Sequence, residues 1–313
     1  MLKKNKKTFL VTGGTGFIGS NICKLLVKKN YNVKVFDNNF RGNFSRIKKI
    51  KNKIKFIKGD IRDQKLLNKS LKNTDAVIHL AYVNGTKHFY NKPVLILDIA
   101  IKGIINVIDA CIKNKVKELY LASSSEVYQT PIKVPTDESE SLKIPDIFNP
   151  RYSYGGGKIL TELMGVHYGK KYFKKLIIFR PHNVYGKDMG NEHVVPEFIN
   201  RFKSLKGKRF KIQGSGNETR SFIYIEDFLQ AFELILMKGK HLNIYNIGTS
   251  EKIKIKDLAF KLAKIFKKKV LLKRTALAKG GTKIRLPNIQ KIKSLGFKKK
   301  INLDQGLSKI LES

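Results

Sequence analysis

Cysteine is nearly absent from this chain, acidic residues are scarce, and no apolar run is long. Only Cys23 and Cys111 occur in 313 residues, far apart and each inside an apolar-periodic segment expected to be helical. That spacing excludes a disulfide framework and any cysteine-based metal or redox motif, so no metal is expected, and it suits buried free thiols in a reducing cytoplasm. No stretch approaches the roughly 20 apolar residues that cross a bilayer, and too few apolar residues precede Gly13 for a signal peptide. The expectation is a soluble, cytoplasmic protein with no membrane partner.

Carboxylates number 24 against 64 lysines and arginines, a formal net charge of +40. Such an excess invites a nucleic-acid or anionic-membrane reading. Lysine supplies most of it, however, and is spread over Lys3 to Lys7, Lys48 to Lys58, Lys170 to Lys175, Lys267 to Lys273 and Lys298 to Lys300. Arginines and stacking aromatics, which read base edges and single strands, are not interleaved with these clusters. No specific nucleic-acid partner is expected. Loose adhesion to polyanions at low salt is, and a basic surface would also draw in an anionic substrate.

What the chain does have is Thr8-Phe9-Leu10-Val11-Thr12-Gly13-Gly14-Thr15-Gly16-Phe17-Ile18-Gly19-Ser20. A short apolar run breaks into glycines and resumes with helical periodicity through Ile22, Leu25, Leu26 and Val27, so the pattern predicts strand, tight turn and helix. Gly13 or Gly14 allows the turn, Gly16 allows close approach to a pyrophosphate, and Gly19 lets the helix pack with its N-terminal N–H groups aimed at the anion. A second buried-strand run, Asn32 to Phe36, ends in Asp37, 18 residues after Gly19, about where a dinucleotide fold places the carboxylate for the adenosine ribose. That charge would repel the extra phosphate of NADP, so NAD is the expected cofactor; Arg41 is the one feature that leaves NADP open.

Further strands are expected at Ile54 to Ile61, Ala76 to Ala81, Glu118 to Ala122 and Leu176 to Phe179, alternating with helices at about 63–71, 94–113 and 152–173. This rhythm predicts an α/β fold, a doubly wound parallel (Rossmann) sheet with ligands beyond the strand C-termini. Pro131 to Pro150 and the stretch after Asp37 read as loops, and Val194 to Leu205 as a helix. The expected division is an NAD-binding domain over 1–180 and a smaller mixed substrate-binding lobe over 181–313, with segments in about 222–247 returning to the main sheet.

Tyr154 and Lys158 stand four apart at the start of a predicted helix, hence on one face. A free tyrosine is only about 0.1% ionised at pH 7, and an adjacent ammonium, with a cationic nicotinamide, would stabilise the phenolate. Ser124, at a strand end, could hydrogen-bond the same substrate hydroxyl. Alone a Tyr-x-x-x-Lys pair is commonly structural; downstream of a glycine cradle and a strand-end serine it reads as a proton-abstracting, hydride-transferring site. His79 reads as a satisfied core histidine, and the roles of His182 and His193 stay open.

Together with Gly59-Asp60-Ile61, His79-Leu80-Ala81, Ser123-Ser124-Ser125-Glu126-Val127-Tyr128, Arg180-Pro181-His182-Asn183-Val184-Tyr185-Gly186 and Thr219-Arg220-Ser221-Phe222, these motifs make the chain resemble the extended short-chain dehydrogenase/reductases that modify nucleotide-sugars. The resemblance covers essentially the whole length. It implies an NAD-dependent epimerase or dehydratase that oxidises a nucleotide-diphosphate sugar at C4 to a 4-keto intermediate. Gly13, Gly16, Phe17, Ile18, Asp37 and Asn38 would bind the pyrophosphate and ribose, Asp60 and Ile61 would border adenine, and Leu80, Ala81 and Pro181 would line the cofactor channel. Tyr154 would be the base, Lys158 would hold the nicotinamide ribose and depress the tyrosine pKa, and Asn183 and Arg220 would meet the diphosphate.

The trio Ser124-Ser125-Glu126 is similar to that of UDP-glucuronate decarboxylases and GDP-mannose 4,6-dehydratases, which puts Glu126-assisted dehydration or decarboxylation first and 4-epimerisation second. Glu126 as a structural carboxylate paired with a rim lysine is the blander reading. Two positions depart from the pattern: Ala100 stands where many relatives have asparagine, and Gly156-Gly157 replace a small residue and serine. The resemblance also implies a homodimer through the helices around 91–113 and 152–173. The rival from another class is a non-catalytic NAD-binding regulator, or a polyanion-binding protein, on the same fold.

Overall fold

Parity along each strand decides which layer its side chains join. In the computed structural model, which describes residues 6–312, β1 (Thr8–Thr12), β2 (Asn32–Asp37), β3 (Ile54–Lys58), β4 (Ala76–His79), β5 (Glu118–Ala122), β6 (Lys175–Pro181) and β7 (Asn243–Ile247) form one parallel sheet in the order β7-β6-β5-β4-β1-β2-β3. Lys3 and Lys4 of the first lysine cluster lie outside the described residues. Phe9, Val11, Ile78, Tyr120, Ile177 and Phe179 face one layer, and Leu10, Val77, Leu119, Leu121, Leu176 and Ile178 face the other. A sheet covered on both faces needs such uninterrupted apolar runs, and each fully buried aliphatic or aromatic side chain contributes roughly 1.5–3 kcal/mol.

The helices are α1 (Phe17–Lys28), α2 (Gln64–Ser70), α3 (Thr86–Asn91), α4 (Pro93–Lys113), α5 (Tyr152–Tyr172), α6 (Val194–Lys203), α7 (Ile225–Lys238) and α8 (Ile255–Ile265), followed by two short ones. α1 and α7 cover the first face, α2, α4 and α5 the second. Asp63 caps α2 by accepting from Leu66 N. Asn149 Oδ1 accepts from Arg151 N at 3.1 Å just before α5, so Tyr154 and Lys158 fall in its first two turns, beside the end of β5.

The strand order reverses between β1 and β4, and the crevice above their C-termini is where an open α/β sheet binds ligand. Residues beyond 181 share one contiguous apolar core with the α1 and α7 face: Phe198, Phe202, Phe210, Leu258 and Leu262 extend it, with Phe202 stacked on Phe210 at 4.3 Å.

The structure differs from the sequence expectation in three places. The lysine-rich stretch after Asp37 holds a 3-10 helix, Phe44–Lys53, anchored by the fully buried Ile47 and capped by Asn43; one buried residue among so many lysines leaves no periodic signal. α3, six residues long, left no signal either. Of the stretch about 222–247, only β7 joins the main sheet. Ile223–Tyr224 pairs instead with Val184–Tyr185 in a separate two-stranded ladder, because α7 begins at Ile225 and draws that segment onto the sheet face.

Candidate active site

The chain leaves β1 at Gly13, whose φ of +72° is a left-handed conformation that glycine adopts without strain. Gly13 N donates to Phe36 O at 2.9 Å, and Gly16 N donates to Gly13 O at 3.1 Å, so the turn is tied to β2. A Cβ at Gly13 would stand 2.7 Å from Ala81 N, which shows how closely the end of β4 packs on the turn. Gly16 precedes α1 and brings no capping side chain, leaving the helix N-terminus able to receive an anion.

Asp37 is buried, with Oδ2 accepting from Thr15 N at 2.9 Å and Oδ1 from Asn39 N at 2.8 Å. Each oxygen keeps a lone pair for a diol. Asn38 Nδ2 donates to Asp60 Oδ2 at 3.0 Å, and hydrogen bonds from Arg62 hold the Asp60 carboxyl below its usual range. Asp37, Asn38, Asp60, Ile61 and Ala81 line a cavity of about 100 Å³ that shares Gly13, Gly16 and Leu80 with a cleft of about 870 Å³. Phe17, Ile18, Ser124, Glu126, Tyr154, Lys158, Pro181, Asn183 and Arg220 border the larger cleft. The glycine cradle, the carboxylate beside it and the elongated double cavity fit a dinucleotide.

Ser124 follows β5 and caps a single 3-10 turn, its Oγ accepting from Glu126 N at 3.1 Å. The Ser124 side chain stands close enough to the Tyr154 phenol to act on its pKa, lowering it. Tyr154 stacks on Phe89, centroids 4.6 Å apart, and meets Tyr82 edge-on at 5.1 Å. Lys158 Nζ donates to Ala122 O at 2.7 Å and lies 3.9 Å from the Tyr82 ring centroid but 6.0 Å from that of Tyr154.

Burial pushes the Tyr154 phenol up, with the Ser124 side chain pulling the other way, and pushes the Lys158 ammonium down to about 7 against the opposing charge of Glu162. A lysine-lowered phenol is therefore not what this structure contains: desolvation dominates, and the ammonium is directed to a carbonyl and another ring.

Glu126 carries the strongest electrostatic feature of the cleft. Its Oε1 is 2.8 Å from Arg285 and 3.4 Å from Arg151. Desolvation raises its pKa, yet Arg285, Arg151 and Arg220 outweigh burial and hold it at about 2. The partners are thus arginines converging from three chain segments, not a rim lysine. Arg151 Nε and Arg285 Nε are buried without a hydrogen-bond partner, and burial together with Arg285 lowers Arg220 to about 9. Three guanidiniums face Glu126, with Glu218 the other carboxylate acting on Arg220, so positive charge is in excess at this end of the cleft.

Asn183 has a φ of +39° and donates from Nδ2 to Ser221 O at 2.9 Å, joining the two motifs that carry Asn183 and Arg220. His79 is a core residue: it is buried, bonded to Thr12 Oγ1 at 2.8 Å, and desolvation keeps it neutral with a pKa of about 3. His182 is likewise buried and neutral, its Nε2 3.1 Å from Asn246 Oδ1, whereas His193 borders the cleft. Cys23 and Cys111 are buried free thiols. Among the described residues no cluster of His, Cys, Asp and Glu could hold a metal, and no helix is long and apolar enough to cross a membrane.

Sequence reasoning missed Tyr82, Phe89, Arg151 and Arg285. Arg151 stood three residues before Tyr154, hence on a neighbouring helical face, and Tyr82 directly followed the Leu80-Ala81 pair. Phe89 and Arg285 had no local signal, because folding alone brings α3 and the strand Ile284–Arg285 to the cleft.

A doubly wound parallel sheet, a glycine cradle at its switch point and a Ser-Tyr-Lys group facing it define a dinucleotide-binding enzyme of the short-chain dehydrogenase/reductase class. The family model described as the NAD dependent epimerase/dehydratase family matches residues 9–248, and the chain belongs to that family; its cofactor is NAD.

It is 33% identical to a dTDP-D-glucose 4,6-dehydratase of Dictyostelium discoideum over 82% of this chain and 61% of that one. A Methanocaldococcus jannaschii protein assigned as a UDP-glucose 4-epimerase is also 33% identical, over 96% of both. A UDP-N-acetyl-alpha-D-glucosaminuronate decarboxylase of Bacillus cytotoxicus is 31% identical over 81% of this chain and 78% of its own length. Among solved structures, the UDP-glucose 4-epimerase of Thermotoga maritima with UDP-glucose superimposes with a TM-score of 0.88 at 28% identity, covering 97% of each chain.

Proposed function

We propose that this protein oxidises a nucleotide-diphosphate sugar at C4 and that dehydration or decarboxylation next to the resulting ketone follows, assisted by Glu126. The observation that carries the reading is the convergence of Ser124, Tyr154, Lys158 and the Glu126-arginine cluster in one cleft at the mouth of the glycine turn. NAD, held at the glycine cradle, would supply the hydride-accepting and hydride-donating chemistry. Burial by itself keeps the Tyr154 phenol protonated. With the Lys158 ammonium and the positive charge of a bound nicotinamide beside it, the phenol would ionise and Tyr154, as phenolate, takes the proton of the C4 hydroxyl, while Ser124 orients that hydroxyl and Lys158 holds the ribose. Gly13, Gly16, Phe17, Ile18, Asp37, Asn38, Asp60, Ile61, Leu80, Ala81 and Pro181 hold the cofactor, and residues 181–313 contribute most of the substrate lobe.

The diphosphate is an anion suited to the excess of positive charge on Arg151, Arg220 and Arg285, alongside Asn183. As it binds, it competes with Glu126 for Arg285 and Arg220. That relieves the charges depressing the Glu126 pKa, so the carboxylate becomes more basic when a sugar is in place. Relatives named as dehydratase, decarboxylase and epimerase all fall at similar identity, and 4-epimerisation is the second reading; it needs Ser124, Tyr154 and Lys158 but not Glu126.

Incubation with UDP-, GDP-, dTDP- and CDP-sugars followed by mass spectrometry tests the reading: loss of water marks dehydration, loss of carbon dioxide decarboxylation, and unchanged mass with new retention epimerisation. Tyr154→Phe is expected to abolish turnover while NAD stays bound. A wild-type protein that binds NAD yet converts none of these sugars would instead support a non-catalytic regulator.

Homodimerisation through α4 and α5 is part of the proposal, supported by the exposure of Val94, Leu97, Ile101, Ile105 and Leu163. Residence in a reducing cytoplasm is also part of it, supported by the two buried free thiols.

A further inference from the structure

Tyr82 has no role in the reading above, yet it touches both groups that the reading depends on. Lys158 Nζ lies over its ring at 3.9 Å, and the Tyr154 ring meets it at 86° with centroids 5.1 Å apart. The Tyr82 hydroxyl is buried and has no hydrogen-bond partner, a destabilising arrangement that phenylalanine would avoid. A Cβ at Gly157 would overlap that hydroxyl and come within 2.6 Å of the Ala100 Cβ. The phenol therefore occupies room that exists because α4 carries alanine at 100 and α5 carries glycine at 157.

We infer that Tyr82 is a positioning residue whose ring holds the Lys158 ammonium charged and in place and braces Tyr154 through an edge-to-face contact. A ring face attracts an ammonium most strongly where water is excluded. The other groups facing Lys158 offer it less. Its one hydrogen bond goes to the Ala122 carbonyl, and His79 beneath it is neutral with a pKa of about 3. Tyr154 is held in its neutral form by burial, and Glu162, one turn along α5, is taken up by Arg180 at 2.6 and 2.8 Å and by Ser123. Against these, burial works to discharge the ammonium, and its pKa of about 7 leaves the balance sensitive to the ring.

The inference rests on Tyr154 and Lys158 being the reacting pair, and its test has a readout that does not need turnover. The pH midpoint of Lys158 acetylation by acetic anhydride, read by peptide mass spectrometry on the NAD-loaded protein, is compared for wild type, Tyr82→Phe, Tyr82→Leu and Gly157→Ala. Tyr82→Phe is expected to keep the wild-type midpoint. Tyr82→Leu should lower it by about one pH unit, and where a substrate has been found, kcat at pH 7 should fall about fivefold with KM little changed. Gly157→Ala, which displaces the Tyr82 hydroxyl and also crowds Ala100, should lower the midpoint at least as far as Tyr82→Leu and covers the case in which that variant does not fold.

An unmoved midpoint in both Tyr82→Leu and Gly157→Ala overturns the inference, as does a Tyr82→Phe variant that drops as far as Tyr82→Leu. If wild type turns over no sugar nucleotide, the proposed function fails while the midpoint still decides the role of Tyr82.

Discussion

Glu126 shows how a single side chain can serve two states of one site. Half-buried against Arg151 and Arg285 with a pKa of about 2, it is a carboxylate at any physiological pH and a feeble base until something else occupies the arginines. Its folded pKa lies below the ordinary 4.5, so the stabilisation is complete above that ordinary value and is lost as pH falls through about 2. Glu126→Gln leaves three guanidiniums facing each other and is expected to cost about 3 kcal/mol at pH 7. In urea titrations the gap from wild type should close between pH 4.5 and 2; a constant gap would mean the ion pairs contribute nothing. In the same variant, reduction of bound NAD by substrate should persist, while release of water or carbon dioxide slows by about 10²-fold or more. Equal loss of both steps would place Glu126 outside the second one.

At the scale of elements, the turn between β1 and α1 sets where everything else can stand. Gly13 combines a φ of +72° with a backbone contact that a methyl group would close to 2.7 Å. Gly13→Ala is expected to lose at least about 2 kcal/mol from strain and displacement of the β4 end, and to purify without NAD. Cofactor content by absorbance together with a thermal melt checks both halves; normal NAD content would show that the turn has slack.

This element was legible in the sequence because a tight turn and a strand end are dictated by nearest neighbours in the chain. α4 was legible only in part. The expected helix over about 94–113 carries apolar residues at 97, 100, 101, 104, 105 and 108, which helical periodicity places on one broad face, and the structure divides them. Ile104 and Ile108 are buried against the sheet layer and Ala100 against Gly157 of α5, while Leu97, Ile101 and Ile105 are 38–42% exposed. No local rule distinguishes a core stripe from an outward one when both are aliphatic.

For the whole molecule, that outward stripe and the net charge of +40 pull in opposite directions. Like charges on two copies repel, so association through α4 and α5 should tighten with salt, whereas loose adhesion to a polyanion should weaken with it. Sedimentation at about 50 and 500 mM salt separates the two. Replacing Leu97 and Ile101 with lysine should give a monomer at either salt, with the fold retained; a dimer that survives would place the interface elsewhere.

By itself the sequence determined the order of strands and helices, the glycine turn, the Asp37 carboxylate and the Tyr154-Lys158 pair. Each of these is a matter of residue type at short spacing, where backbone sterics and helical periodicity act directly. The tertiary structure alone decided that Arg151, Arg220 and Arg285 meet around Glu126, that Tyr82 lies under Lys158, and that Ile223–Tyr224 stays out of the main sheet. Those facts depend on which distant segments are brought together when two apolar layers close on one sheet, and on which charges lose their water in doing so.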